Sequence, residues 1–274
     1  MVAIVSVVTA EERWAETGLR DHGSERGADA PTIVLLHGLM GRGRTWRRQI
    51  PWLRRHGRVF TVDAAFHTGA DDTVDIDDLA ADEIATERFV ADVAETLVWI
   101  DRGPAVLIGH SMGGLHAWCT AAQYPELVSA LVIEDMAPDF RGRTTADWTP
   151  WFASWPQRFA SRSAADDMFG PIAGRYFFEA FDDGRLHGDV EIFAAIAGEW
   201  GGRDFWSQWR QVAAPTLLLE AERGVTPPGQ MASMAEVNAH ARHLVIPGAG
   251  HLAHDDRPGI YRGAVEAFLS AMVD

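Results

Sequence analysis

The sequence predicts an α/β fold, in which a mostly parallel β-sheet carries helices on both faces and a helical cap is inserted between two strands. The first observation is a series of short, continuous apolar runs, which is typical of strands covered on both faces. The second is that segments with helical spacing of apolar residues separate these runs, as parallel strands require. The third is that this alternation stops between residues 140 and 210 and then resumes.

Each element can be assigned in order along the chain. The predicted strands cover residues 32–36, 59–62, 105–108, 130–133, 215–219 and 242–246, and residues 2–30 add one or two edge strands. The predicted helices cover residues 42–58, 84–100, 115–123, 228–238 and 260–272. We therefore predict a core domain made of residues 1–139 and 211–274, with a helical cap at residues 140–210.

Residues 140–210 are rich in aromatic side chains. They hold six of the 11 tryptophans and nine of the 13 phenylalanines of the chain. This composition also fits an ordinary part of a core, but the sheet resumes at residues 215–219, which favours an inserted cap. A cap over the catalytic edge of the sheet would form an apolar substrate pocket, with Trp151 and Trp155 as candidate contacts.

The composition disfavours several classes of function. A net charge of −15 at pH 7 argues against binding to nucleic acid or to anionic membranes. All 24 basic residues are arginine, which excludes Schiff-base chemistry on lysine, and the single Cys119 excludes an internal disulfide. The apolar run at residues 2–8 is short and lacks a preceding basic residue, so we interpret it as a strand and not as a signal peptide. We expect a cytoplasmic monomer or small homo-oligomer that acts on a small-molecule ester and needs no cofactor.

Two clusters of like charge each allow two interpretations. Residues 42–58 carry seven arginines, and we favour a helix with a solvated arginine face and with Trp46 and Trp52 packed inward over a basic binding patch. Residues 71–83 carry seven carboxylates and no basic residue. A divalent-metal site is the alternative there, but no EF-hand spacing occurs, so we favour a solvated acidic loop and expect no bound metal.

Residues 106–114, Val-Leu-Ile-Gly-His-Ser-Met-Gly-Gly, carry the clearest chemical signal. An apolar strand runs through a sharp turn into a helix, with Ser111 at the apex. Such a turn presents the serine hydroxyl to a base and leaves no room for side chains at Gly109, Gly113 and Gly114. A glycine-rich turn with an incidental serine is the alternative, but the preceding strand and following helix favour a nucleophile.

A second glycine-bracketed loop, His37-Gly38-Leu39-Met40-Gly41, follows the first buried strand. We predict that the backbone N–H groups of Leu39 and of Met112, the residue after the nucleophile, form an oxyanion hole. We place His37 and Gly38 at the substrate site, where Gly38 allows close approach of the backbone and His37 braces the loop.

The nucleophile needs a base, and the base needs an orienting acid. Among the 11 histidines, His251 is favoured as the base because it lies in a glycine-rich loop after the last strand. His254 is its main rival. His110 flanks the serine but should point away from it into the protein.

The acid has two candidate positions. After the strand at 215–219 the chain offers Glu220 and Glu222 but no aspartate. The strand directly after the nucleophile ends in Glu134 and Asp135, and strand alternation directs these two side chains to opposite sides. We favour Asp135 over Glu222 because its strand would neighbour that of the nucleophile.

These motifs resemble those of the α/β-hydrolase superfamily. The resemblance covers residues 32–138 and 215–274 and depends on the loop at 37–41, the turn at 109–114 and the pair Gly250-His251. It implies the α/β-hydrolase fold for the predicted sheet, helices and cap.

A narrower resemblance concerns the run Asp135-Met136-Ala137-Pro138, which is similar to a motif of small acyl-ester hydrolases. In that group this aspartate is the triad acid, which supports Asp135. A serine after the next strand also joins the network there, whereas this chain has Gly224. The loop at residues 63–67, Asp-Ala-Ala-Phe-His, keeps the aspartate and histidine of the group but lacks the polar pair between them.

The resemblance implies a serine hydrolase that cleaves carboxylic esters of small to medium acyl chains through an acyl-enzyme. A serine at the apex argues against the haloalkane dehalogenases and epoxide hydrolases of this fold, which use aspartate as the nucleophile. The same triad also serves C–C bond hydrolases, amidases, lyases and metal-free perhydrolases, which the sequence leaves open. A ligand-binding protein without turnover is a further alternative, against which the intact Ser111, His251 and elbow glycines argue.

Overall fold

The computed structural model describes residues 18–68, 74–143, 145–180, 184 and 188–272. Within these residues one sheet contains seven strands, β1 (Arg20–Asp21), β2 (Thr32–Leu36), β3 (Arg58–Val62), β4 (Ala105–His110), β5 (Val128–Glu134), β6 (Thr216–Arg223) and β7 (Ala241–Gly250). Their order is β1-β3-β2-β4-β5-β6-β7, and every pairing is parallel except that of β1 with β3. The predicted α/β class is confirmed, and the strand expected at residues 2–8 lies outside the described residues.

The central strands of the sheet are buried on both faces. All residues of β2 and β4 are buried, which explains their continuous apolar runs. In the parallel register, Leu36 pairs with Gly109 and Gly109 pairs with Ile133. The carboxyl ends of β2, β4 and β5 therefore meet at one edge, which brings together the loops that follow them.

Helices cover both faces of the sheet. They are α1 (Ile50–Leu53), α2 (Thr86–Ile100), α3 (Met112–Gln123), α4 (Thr145–Ala153), α5 (Arg162–Ala180), α6 (Val190–Gly201), α7 (Trp206–Trp209), α8 (Gln230–Val237), α9 (Ala253–Asp256) and α10 (Pro258–Ser270). One apolar cluster includes Phe89 of α2 and Trp118 of α3, and a second includes Tyr261 and Val265 of α10. None of the helices described is both long enough and apolar enough to cross a bilayer.

The prediction of one continuous helix at residues 42–58 is wrong. The chain instead forms a 3-10 turn at Gly43–Trp46 and the four-residue helix α1. Pro51 lies in the first turn of α1, where it has no N–H group with which to continue the helix from the preceding residues. Trp46 and Trp52 are buried, as predicted.

Arg42 also departs from the predicted solvated arginine face. It is buried, and its guanidinium forms an ion pair with the Asp63 carboxylate at 3.2 Å. The same carboxylate accepts a hydrogen bond from the N–H group of Gly43 at 2.6 Å. These contacts between distant parts of the chain outweigh the local helical preference and hold the start of this segment against the end of β3.

The last strand is longer than predicted. β7 extends through Gly250, so residues 248–250 belong to the strand and not to a loop. β6 is also longer than predicted, and the added parts of the two strands pair, with Arg223 opposite Gly250. The loop that carries His251 begins only after this strand.

Residues 140–210, which we call the cap segment, connect β5 to β6 and form helices α4 to α7 in their described parts. An isolated antiparallel bridge between Asp139 and Asp204 closes the base of the insertion. Helix α5 is interrupted at Gly170, which has a φ of 80° and precedes Pro171. The helical content fits the predicted cap, and its status as a separate domain stays a prediction.

Candidate active site

Ser111 lies in a strained turn between β4 and α3. Its backbone has φ 52° and ψ −125°, and residues with a side chain rarely adopt positive φ. Its N–H group donates to the carbonyl oxygen of Glu134 at 2.9 Å, and its carbonyl oxygen accepts from the N–H group of Gly114 at 2.7 Å. These bonds to β5 and to the first turn of α3 hold the serine at the apex of the turn.

The glycines around the elbow leave no space for a side chain. A Cβ atom at Gly109 would lie 2.5 Å from the carbonyl carbon of Gly113, and one at Gly113 would lie 2.6 Å from the carbonyl oxygen of His37. Real Cβ atoms do not approach backbone this closely, so both positions require glycine. This close packing explains the spacing of the glycines around Ser111, as we predict from the sequence.

The loop at residues 37–41, which we call the oxyanion loop, packs directly on the elbow. A Cβ atom at Gly38 would lie 3.1 Å from the Cβ atom of Ser111 and 2.7 Å from Nδ1 of His110. Within the described residues, the N–H groups of Leu39 and Met112 donate to no protein acceptor. Both groups are therefore available to a ligand beside the serine.

The structure brings Asp135 and His251 together. Nδ1 of His251 lies 2.6 Å from Oδ2 of Asp135, and the histidine side chain keeps 29% of its exposure while that of the aspartate is fully buried. The carboxylate also accepts from the N–H groups of Ala221 at 3.1 Å and of Val225 at 3.0 Å. Asp135 is thus a buried carboxylate fixed by three donors, one of which is the partly exposed histidine ring.

The rival acids and the rival base are engaged elsewhere. Glu222 accepts from the N–H group of Gly248 at 2.7 Å, and Glu220 pairs with a histidine of β7. His254 is buried and pairs with Glu134 at 2.8 Å. Glu134 and Asp135 therefore diverge, as strand alternation predicts.

Gly224 stands where the resemblance leads one to expect a serine. A Cβ atom there would lie 2.5 Å from the carboxyl carbon of Asp135 and still closer to both of its oxygens. The loop after β6 wraps so tightly around the carboxylate that only glycine fits. The chain thus offers no serine hydroxyl to the carboxylate at this position.

His110 has a contact that the sequence reasoning missed. Its side chain is buried within the protein, where its Nε2 donates to the carbonyl oxygen of His251 at 2.9 Å, and the centroids of the two rings lie 4.5 Å apart. Burial lowers the pKa of His110 well below its ordinary value, so the ring is neutral. Residue spacing gives no signal for a bond that spans 141 positions of the chain.

Tyr176 of α5 is a second residue that the sequence reasoning missed. A Cβ atom at Gly41 would lie 2.5 Å from its hydroxyl oxygen, and its ring lies 6.2 Å from that of His110. The cap segment therefore contacts the oxyanion loop through a buried tyrosine. No motif marks this residue in the sequence.

The predicted substrate contacts in the oxyanion loop and in the cap segment differ in their hydrogen bonds and exposure. Both nitrogens of the buried His37 are used within the protein, by the carbonyl oxygen of Gly38 at 2.8 Å and the N–H group of Ala64 at 2.9 Å. His37 thus braces the loop, as predicted, but has no nitrogen left for a substrate. Trp151 is 36% exposed and Trp155 is 8% exposed.

Both tryptophans belong to an aromatic cluster in the cap segment. Its members are Trp151, Phe152, Trp155, Phe159, Phe169 and Phe177. The Phe177 ring lies 5.2 Å from that of Tyr176, which connects the cluster to the oxyanion loop. A role for these tryptophans in substrate binding stays a prediction.

The described residues contain no group of three or more histidine, cysteine, aspartate or glutamate side chains arranged to hold a metal ion. The acidic run at 71–83 lies partly outside the described residues.

A family model described as "Alpha/beta hydrolase family" matches residues 33–263. The chain belongs to the α/β-hydrolase family. Its predicted fold is confirmed by solved structures, among them E-2-(acetamidomethylene)succinate hydrolase, with a TM-score of 0.77 and 21% identity over 92% of this chain and 94% of that one.

Two curated relatives of this α/β hydrolase cover nearly all of both chains. It is 26% identical to a putative 2-succinyl-6-hydroxy-2,4-cyclohexadiene-1-carboxylate synthase of Bacillus subtilis, over 93% of this chain and 96% of that protein. It is 27% identical to an sn-1-specific diacylglycerol lipase of Mus musculus, over 89% of this chain and 82% of that protein. The family supports a hydrolase, and the names of these two relatives, a synthase and a lipase, do not fix the substrate class.

Proposed function

We propose that this α/β hydrolase is a serine hydrolase that cleaves carboxylic esters of small to medium acyl chains. The observation that carries the proposal is the 2.6 Å bond between His251 Nδ1 and Asp135 Oδ2, in loops at the same sheet edge as the strained Ser111. In its neutral form, a histidine that donates from Nδ1 to a carboxylate carries no proton on Nε2, which leaves that nitrogen free to act as a general base.

In the proposed reaction, Ser111 Oγ attacks the acyl carbon while His251 Nε2 takes the hydroxyl proton. The N–H groups of Leu39 and Met112 stabilise the acyl oxygen as it becomes negative. His251 then gives the proton to the leaving alcohol, and the acyl-enzyme forms. A water then attacks the acyl carbon and gives a proton to His251, which returns that proton to Ser111 Oγ as the bond from the acyl carbon to this oxygen breaks and the acid leaves. Asp135 stabilises the imidazolium in both half-reactions.

The ester substrate class has support from outside the triad. One relative is named a diacylglycerol lipase, and the run at residues 135–138 resembles a motif of small acyl-ester hydrolases. The aromatic cluster of the cap segment supports an apolar acyl group over a charged one.

A second candidate is a lyase reaction by the same residues. It is favoured by the relative named a cyclohexadiene-carboxylate synthase, which matches over a slightly larger share of the chain than the lipase does. In this reaction His251 would again act as the base, so the triad geometry fits both candidates.

The experiment that tests the ester proposal is release of p-nitrophenol from p-nitrophenyl esters, acetyl through octanoyl, by the wild type and by Ser111→Ala. We expect turnover that the substitution abolishes, and the chain-length optimum then reports the size of the acyl pocket. A folded wild type that hydrolyses none of these esters would contradict the proposal. Labelling of Ser111 by a fluorophosphonate would in that case favour the second candidate, and protection by ligands without labelling or product would favour a binding protein.

A further inference from the structure

The oxyanion loop is held by a histidine of its own and by one from another loop. His37 donates from Nδ1 to the carbonyl oxygen of Gly38, and its Nε2 accepts from the N–H group of Ala64 at 2.9 Å. Ala64 belongs to the loop that follows β3, which lies beside β2 in the sheet. The oxyanion loop therefore reaches out to this second loop through the His37 ring.

The second loop makes the matching contact in return. His67 donates from Nδ1 to the carbonyl oxygen of Ala65 at 2.8 Å, and its Nε2 accepts from the N–H group of Met40 at 3.2 Å. Each loop thus provides a histidine whose Nε2 binds a backbone N–H group of the other. The two rings lie 5.0 Å apart, so the contacts form one packed unit.

We propose that His67 is a positioning residue for the oxyanion hole. Its Nε2 binds the Met40 N–H group and fixes the oxyanion loop, so that the N–H group of the adjacent Leu39 stays directed at the acyl oxygen. The inference rests on the proposed function, since it assigns Leu39 to the hole.

The backbone of Met40 supports this assignment. Its φ is 61°, a left-handed conformation that is uncommon for methionine and needs surrounding contacts to persist. The hydrogen bond from Met40 to His67 is such a contact, and the Met40 side chain is fully buried. Because Met40 follows Leu39 directly, a change in the backbone angles of Met40 would also shift the backbone of Leu39 and reorient its N–H group.

The surroundings of His67 keep its Nε2 unprotonated. The ring is fully buried and packs 4.5 Å from the ring of Phe193 in the cap segment. Burial, with a smaller contribution from His37, lowers the pKa of His67 well below its ordinary value. A neutral ring that donates from Nδ1 accepts at Nε2, as the bond to Met40 requires.

The base of the second loop is fixed as well. The Asp63 carboxylate accepts from the Arg42 guanidinium at 3.2 Å and from the Gly43 N–H group at 2.6 Å. The loop that carries His67 is therefore held firmly at its start. A residue that aligns an N–H group of another loop needs such a fixed position.

The test compares three variants of the full chain with the wild type. His67→Phe keeps a ring of similar size but removes the acceptor, whereas His67→Gln places an amide oxygen near the position of Nε2. His116→Phe is the matched control, since His116 is also a buried histidine, and its Nε2 has no hydrogen-bond partner among the described residues. Each activity is divided by the folded fraction of that variant, which its unfolding curve gives, before the activities are compared.

We expect His67→Phe to lower kcat for p-nitrophenyl esters about 10- to 100-fold with little change in KM, because a misdirected donor weakens transition-state binding alone. Phosphonylation of Ser111 by a fluorophosphonate should slow by the same factor. His67→Gln should recover most of both rates, and His116→Phe should keep them. A wild-type kcat in His67→Phe, or an equal loss in His67→Gln and His116→Phe, would overturn the inference.

Amide hydrogen exchange at Met40 separates this inference from the proposed function. We expect exchange at Met40 to be faster in His67→Phe and close to wild type in His67→Gln. If the wild type neither hydrolyses esters nor reacts with the probe, the proposed function fails. Unchanged exchange in His67→Phe would then still refute the positioning role.

Discussion

Two neighbouring carboxylates at the end of β5 each bind a histidine from the segment after β7. Asp135 binds Nδ1 of His251 at 2.6 Å, and Glu134 binds Nδ1 of His254 at 2.8 Å through both of its oxygens. The His251 side chain keeps 29% of its exposure, whereas the His254 side chain keeps 1%. We call the first the accessible pair and the second the buried pair. Both pairs join a histidine to a carboxylate, so the exposure of the histidine distinguishes a candidate proton carrier from a structural contact.

The buried pair has bonds that the accessible pair lacks. The N–H group of His254 donates to Glu134 at 3.0 Å, its carbonyl oxygen accepts from the side chain of Gln49 at 3.0 Å, and its ring lies 4.7 Å from that of Trp46. Burial lowers the pKa of His254, but attraction and hydrogen bonding to Glu134 outweigh it and raise the pKa above its ordinary value. The buried pair therefore anchors helix α9, three residues beyond the proposed base.

The largest effect should come from breaking the accessible pair. Asp135→Asn should lower kcat/KM for esters by about 10⁴-fold, because an amide no longer selects the tautomer with a free Nε2 or stabilises the imidazolium. Steady-state kinetics on p-nitrophenyl esters measures this. Glu222→Gln is the control and should keep wild-type activity. Full activity in Asp135→Asn with loss in Glu222→Gln would reverse the assignment of the acid.

Breaking the buried pair should affect stability more than chemistry. Glu134→Gln removes the charge that offsets a buried histidinium, which should lower the free energy of unfolding by about 3 kcal/mol. Its kcat per folded molecule should fall less than tenfold. Urea unfolding and active-site titration measure the two quantities. Unchanged stability together with a loss of kcat like that of Asp135→Asn would show that the two pairs do not differ in role.

A smaller effect should follow from crowding the acid of the accessible pair. Gly224→Ala puts a Cβ atom against the Asp135 carboxylate, and overpacking of this kind costs about 1–3 kcal/mol. We expect about a tenfold loss of kcat/KM, since the carboxylate must shift relative to His251. Gly259→Ala is the matched control, because nothing lies within 4 Å of its added Cβ atom. Equal kinetics in both variants would contradict the tight fit around Asp135.

The smallest effect is the pH dependence of stability. The buried histidines outside the two pairs have lowered pKa values, whereas the pKa of His254 is raised. Burial lowers the pKa of His116 from 6.5 to about 3, and it lowers those of His37, His67 and His110 as well. Each of these groups takes up a proton more readily when unfolded, so its stabilising contribution is complete above pH 6.5 and is lost as the pH falls. The contribution of His254 has the opposite sign, since its raised pKa favours the folded state at low pH and is lost as the pH rises through it.

His116→Phe isolates one of these contributions. Between pH 6 and 5 the wild type should lose up to about 1.4 kcal/mol per pH unit through His116 alone. The variant should show a stability curve that is shallower by that amount in urea unfolding at a series of pH values. Parallel curves for the two proteins would show that His116 does not stay neutral when folded.

The features that could be predicted from the sequence are those that depend on local patterns. The apolar run at 32–36 has the same bounds as β2, because a strand buried on both faces has no polar interruption. The glycine spacing around Ser111 follows from close approaches within one turn. Asp135 comes directly after β5, and its position beside the strand that leads to Ser111 favours it as the acid.

The features that could not be predicted depend on contacts between distant residues. Arg42 is buried because Asp63 lies beside it, and the composition of residues 42–58 does not reveal that partner. His110 binds the carbonyl oxygen of His251 across the site, and Tyr176 reaches the oxyanion loop from the cap segment. These positions carry no periodicity or motif, since only the packed chain brings their partners together.

The most direct test of the account is reaction of the protein with a fluorophosphonate, followed by mass spectrometry of the labelled peptides. The account predicts one adduct, on Ser111, that forms at least about 100-fold more slowly in Asp135→Asn and at the wild-type rate in Glu222→Gln. No adduct on the folded wild type, or labelling of Asp135→Asn at the wild-type rate, would contradict the claim that Asp135 and His251 activate Ser111.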